Sequence, residues 1–100
     1  MILHAMSRDE FLCELRHMKE KFKFRYGVTR SGIFGSVARS ETKTASDVDV
    51  VVEMKPNLFM RAGLKAELES RFGKSVDVVR YRQVMNRYLK ARIDRNALYV

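Results

Sequence analysis

The sequence is short of most features that would settle its class at once. It has a single cysteine, Cys13, in 100 residues, so no disulfide can form within the chain. That usage fits a reducing compartment, and a cytoplasmic location is expected. There is one proline, Pro56, and no tryptophan. No apolar run approaches the roughly twenty residues of a membrane-spanning helix. The opening MILHAMSRDEFL shows no secretory-signal pattern. Cys13 and His17 stand at i, i+4, but the only other histidine is His4. A tetrahedral zinc site would lack its second pair of ligands. The expected state is a partly buried thiol and a surface imidazole.

Acidic residues are also scarce. Residues 1–50 hold nine Lys/Arg against seven Asp/Glu, and residues 51–100 hold eleven against five. The net charge is +8 and the pI is near 10.0. Such a balance invites a polyanion or an acidic protein, and alone it names neither. What the chain does have is apolar content: 46% hydrophobic residues suffice for a core, and the length suits one domain spanning 1–100.

Ser7 and Glu10 fit a capping box, and Phe11, Leu15, Met18 and Phe22 follow as one apolar stripe. This spacing predicts a helix over about 8–24, ended by Gly27. VTRSGIF, 28–34, reads as a strand running into Gly35-Ser36 and a short helical turn. SETKTAS is polar and loop-like. DVDVVVEM, 47–54, alternates: Val48, Val50, Val52 and Met54 share one face, and Asp47, Asp49, Val51 and Glu53 the other. Pro56-Asn57 marks a helix start, Leu64, Leu68 and Phe72 its apolar side, and Gly73 its end. VDVV, 76–79, is a third strand. A last helix is predicted over about 82–94, with Val84, Tyr88 and Ala91 on one side. The order α-β-(short α)-β-α-β-α predicts an α/β fold with a small three-stranded mixed sheet. The first two strands suit an antiparallel or closely adjacent pair, and the helical crossover suits a parallel third strand. The apolar tail ALYV hints at partner contact.

Aspartate is depleted in strands, yet three fall at strand positions. Asp47 and Asp49, at i and i+2, point to one face roughly 7 Å apart. Asp77 joins them if the third strand neighbours the second. Unpaired, three such carboxylates repel one another, and hard divalent cations such as Mg²⁺ or Mn²⁺ would relieve the repulsion. The bland alternative is a solvated strand start. Gly35 permits a tight turn and close approach of a ligand, Ser36 adds a hydroxyl, and Arg39 lies one turn on. The basic run Arg80, Arg82, Arg87, Lys90, Arg92 and Arg95 reads as a solvated face, a phosphate-facing wall or a docking surface.

Gly35-Ser36, ten residues, then Asp47-x-Asp49 resembles the signature of the DNA polymerase β-like nucleotidyltransferase superfamily. GIFGSVARSETKTASDVDVVVEM followed by VDVV resembles, more closely, the minimal nucleotidyltransferase (MNT) proteins, the antitoxins of HEPN/MNT toxin–antitoxin pairs. The resemblance covers nearly the whole chain. It departs at Ser40, where the family often has glycine. The resemblance implies that Asp47 and Asp49 hold two metal ions, that Asp77 completes the site and helps activate the acceptor, and that Gly35 and Ser36, with Arg39 less directly, hold phosphates. It implies AMP transfer from ATP to a tyrosine of a cognate HEPN toxin, in a hetero-oligomer with that toxin. Non-catalytic docking, and transfer to RNA or a small molecule, are the competing readings. The chain is short for the extra domains that usually accompany either transfer, so nucleic acid is not the expected partner.

Overall fold

The structure is a computed structural model, and it describes residues 6–40 and 47–100. Most of the predicted SETKTAS loop therefore lies outside the described residues.

The helix expected over 8–24 is two helices, α1 (Arg8–His17) and α2 (Lys19–Tyr26). The capping box forms in full: Ser7 Oγ accepts from the Glu10 N–H at 3.3 Å, and the Ser7 N–H donates to Glu10 Oε1 at 3.1 Å. The break falls at Met18, whose ψ of −3° departs from helical values. The apolar stripe carries across it, since Phe11, Leu15, Met18 and Phe22 are all buried. Gly27 ends α2 with a left-handed φ of 70°.

Strand β1 (Arg30–Phe34) runs directly into the four-residue helix α3 (Gly35–Ala38). Strand β2 (Val48–Glu53) follows, then α4 (Leu58–Phe72), capped by the Asn57 side chain, which accepts from the Met60 N–H at 3.0 Å. Strand β3 (Val76–Arg80) and α5 (Arg87–Asn96) come next. As expected, β1 and β2 are antiparallel and β2 and β3 parallel.

Among the described residues the sheet has four strands, not three, in the order β3-β2-β1-β4. The tail read as a partner contact supplies β4 (Leu98–Tyr99), antiparallel to β1. Gly32 makes room for it: a Cβ there would sit 2.5 Å from the Leu98 carbonyl oxygen. Val100 N–H donates to Ser31 O at 2.9 Å, and Arg30 stacks on the Tyr99 ring.

The two faces of the sheet are covered unequally. Val48, Val50, Val52 and Met54 join α1, α2 and α4 in the main core, with Ile33, Val76 and Val78. The opposite face holds a smaller cluster of Phe34, Val51 and Ile93, flanked by Met85 and Leu89. Here the expectation for the last helix fails. It starts at Arg87, capped by Asn86, and buries Ile93, with Leu89 half-buried one turn earlier. Val84 and Tyr88 are exposed, at 85% and 75%. Cys13 is exposed rather than partly buried.

Candidate active site

The small second layer decides where the site lies. Residues of β2 that face α5 are Asp49, Val51 and Glu53. Val51 is covered by Ile93, whereas Asp49, one pleat earlier, is only half-buried. The polar end of the strand thus emerges where α5 stops shielding it.

Register then brings the acids together. Asp49 and Asp77 are direct partners in the parallel β2–β3 ladder, so both point to one face on strands about 4.8 Å apart. Asp47 immediately precedes β2 and is exposed, as is Asp77. On the other side, Phe34 of β1 pairs with Asp49, so Gly35 closes directly over that carboxylate. Gly35 has φ of 72°, and a Cβ on it would lie 2.3 Å from Asp49 Oδ2. Glycine is required here twice, by backbone conformation and by lack of room.

The electrostatics follow from the geometry. Burial pushes the Asp49 carboxyl above its ordinary value, and the charges of Asp77 and Asp47 push it further; Arg92 and Arg39 oppose them. Asp47 and Asp77 are therefore both within electrostatic reach of Asp49. Arg39 caps α3, its N–H donating to the Gly35 carbonyl at 3.2 Å. Ser36 is half-buried on the same short helix. Ser40 has φ of 59°, in the left-handed region that glycine enters without strain. A glycine, which the family resemblance leads one to expect at this position, would adopt it freely.

Arg92 was legible in the sequence only as one member of a basic run. In the fold its Nη2 would stand 3.4 Å from a Gly35 Cβ, and its guanidinium lies 5.7 Å from the Phe34 ring centre. The signal for it was the Leu89–Ile93 pair, i and i+4, which turns the adjacent Arg92 toward the sheet's open end.

The site contains hard oxygen donors suited to Mg²⁺ or Mn²⁺. Among the described residues no three His, Cys, Asp or Glu side chains stand close enough to enclose one ion. The arrangement fits a cation held by one or two carboxylates and completed by phosphate oxygens and water, as is usual for Mg²⁺.

A half-open carboxylate pair closed by a glycine turn, on a mixed sheet of this topology, defines a nucleotidyltransferase. The nucleotidyltransferase domain family matches residues 15–100, and the chain belongs to it. Within that family it is of the minimal, MNT type. A relative in Methanocaldococcus jannaschii, named as a candidate protein adenylyltransferase, is 44% identical over 78 residues, 76% of this chain and 83% of its own. A solved candidate minimal nucleotidyltransferase superposes with a TM-score of 0.75 at 32% identity, covering 96% of this chain and 98% of that one. The fold also matches, at TM-score 0.66 and 16% identity over 92% of this chain and 70% of that one, a Shewanella oneidensis structure. That structure holds a tri-AMPylated HEPN toxin with its MNT antitoxin. Among the described residues no helix is long and apolar enough to cross a membrane.

Proposed function

We propose that this protein is an antitoxin that transfers AMP from ATP to a tyrosine hydroxyl of a cognate HEPN toxin. The observation that carries the reading is the Asp49–Asp77 ladder pair with Gly35 closed over it. The relative named for protein adenylylation and the MNT–toxin complex of the same fold support the acceptor class. Residues 1–100 would act as one cytoplasmic catalytic domain, in a complex with the toxin.

In this reading Asp47 and Asp49 hold the cations that accompany the triphosphate, and Asp77 faces the acceptor. When bound, two Mg²⁺ ions would supply neutralisation of the triphosphate and a lowered pKa for the acceptor hydroxyl. The tyrosine oxygen attacks the α-phosphorus, the bond from that phosphorus to the bridging oxygen breaks, and pyrophosphate departs. Asp77 accepts the tyrosine proton directly or through water. Gly35 and Ser36 steady the outer phosphates, and Arg39 and Arg92 offset the charge of the leaving pyrophosphate. Positioning and electrostatics account for most of such a step.

The test is direct. Incubation with the HEPN partner, ATP and Mg²⁺ should increase the partner's mass by whole AMP units. Neutralisation of the toxin with no mass increase would instead establish non-catalytic docking.

Arg92→Ala should weaken Mg²⁺-ATP binding about tenfold, the effect of losing one charge-assisted contact. Affinity for adenosine should stay unchanged. Calorimetric titration of both ligands separates a phosphate contact from a general loss of structure, which would weaken both.

A further inference from the structure

The surface beside Asp77 has a form that the transfer chemistry does not require. A groove of about 650 Å³ is lined by four consecutive residues of β3, 77–80. Successive strand residues point to opposite faces. One groove can touch all four only by lying along the strand's edge, and β3 is an edge strand. The flanking walls agree, since Leu58 and Arg61 come from α4 on one face and Met85 and Leu89 from the α5 side on the other.

The backbone parity fixes which groups line that edge. Val48 N–H donates to Ser75 O, and Tyr81 N–H to Val52 O. The odd-numbered residues of β3 thus serve β2, and Val76, Val78 and Arg80 turn their N–H and C=O outward. The first of these is closed off, because Val76 N–H donates to Glu69 Oε2 at 3.0 Å. The open length begins at Val78, next to Asp77.

The lining also has a sign. Lys55, Arg61, Arg80 and Arg82 face it, and Asp77 is its one acid among the described residues. Its apolar members include Leu58, which is 77% exposed. A strand edge flanked by both apolar and cationic side chains favours an extended acidic peptide over nucleic acid, which would leave the apolar flanks unpaired.

We propose that an extended, acidic segment of the acceptor protein docks by adding as a strand to the open edge of β3, presenting its hydroxyl-bearing side chain at Asp77. This rests on the reading of Asp77 as part of the transfer site.

A fluorescent peptide of alternating glutamate and tyrosine is the probe, with a lysine–tyrosine peptide as control. Anisotropy without nucleotide should show the acidic peptide binding at least tenfold more tightly than the control. Amide exchange should slow at Val78 and Arg80. Arg80→Pro removes an outward N–H but no bond to β2, and should weaken peptide binding about tenfold. The surface charge reversal Lys55→Glu/Arg82→Glu should do the same while Mg²⁺-ATP affinity is kept, so the result does not depend on the proline variant folding. Equal binding of both peptides, protection elsewhere than β3, or displacement of the peptide by ATP or by an RNA oligonucleotide would overturn the proposal. Mg²⁺-ATP titration of the unmodified protein separates the two levels: ATP bound without peptide sinks the docking edge alone, and no ATP bound sinks the nucleotidyltransferase site reading.

Discussion

Asp49→Asn should lower AMP transfer by about a thousandfold or more while the protein stays folded, and without metal its Tm should be no lower than that of the unmodified protein. The loss follows from removing the one carboxylate that lies under Gly35 and opposite Asp77. The stability follows from the sign of its titration. Burial and the neighbouring acids raise the folded-state pKa of Asp49. Its ionised form is therefore disfavoured by the fold, so the penalty is absent at low pH. It builds as pH rises from the unfolded-state value through the raised folded-state value, and is full above it. Asparagine keeps the shape and removes that penalty. Thermal melts in a chelator at neutral pH, then with added Mg²⁺, provide the check. Mg²⁺ should raise the Tm of the unmodified protein more than that of the variant. A variant that retains transfer, or that unfolds in chelator, would contradict the assignment of Asp49 as a metal-facing residue rather than a structural one.

That prediction could be framed from sequence because strand alternation is a local property. Val48, Val50 and Val52 facing one way forces Asp49 the other way, and the fold keeps that parity. The antiparallel and parallel pairings were legible for the same reason, since loop and crossover lengths constrain them. Contacts between distant segments were not. Nothing local tells that ALYV folds back as β4; its place depends on the missing side chain of Gly32, 66 residues from Leu98. The periodicity of Phe11, Leu15, Met18 and Phe22 survives the kink at Met18, so it could not reveal two helices. For α5 a usable signal was present. Asn86 is a strong N-cap residue, and its side chain accepts from both Tyr88 and Leu89 N–H groups. Starting the helix there turns half-buried Leu89 and buried Ile93 toward the sheet, exposes Tyr88, and brings Arg92 to the site.

Gly35→Ala should cost about 1–2 kcal/mol of stability, the price of a side chain in the left-handed region, and should lower transfer about a hundredfold. The added Cβ would lie 2.3 Å from Asp49 Oδ2. A carboxylate is a mobile group, so the fold can relieve the clash by swinging Asp49 aside. That movement displaces the donor on which the proposed chemistry depends, and misplacement by about 1 Å can cost a hundredfold in rate. Gly27→Ala is the matched control. Gly27 has nearly the same φ, 70°, but nothing lies within 4 Å of its missing Cβ. Both variants carry the backbone penalty, and only Gly35→Ala disturbs Asp49. Denaturant melts and AMP-transfer rates on the pair therefore separate strain from catalysis. Equal loss of transfer in both would mean that the glycine at 35 serves the turn alone. Loss confined to Gly35→Ala would assign it to the carboxylate beneath it.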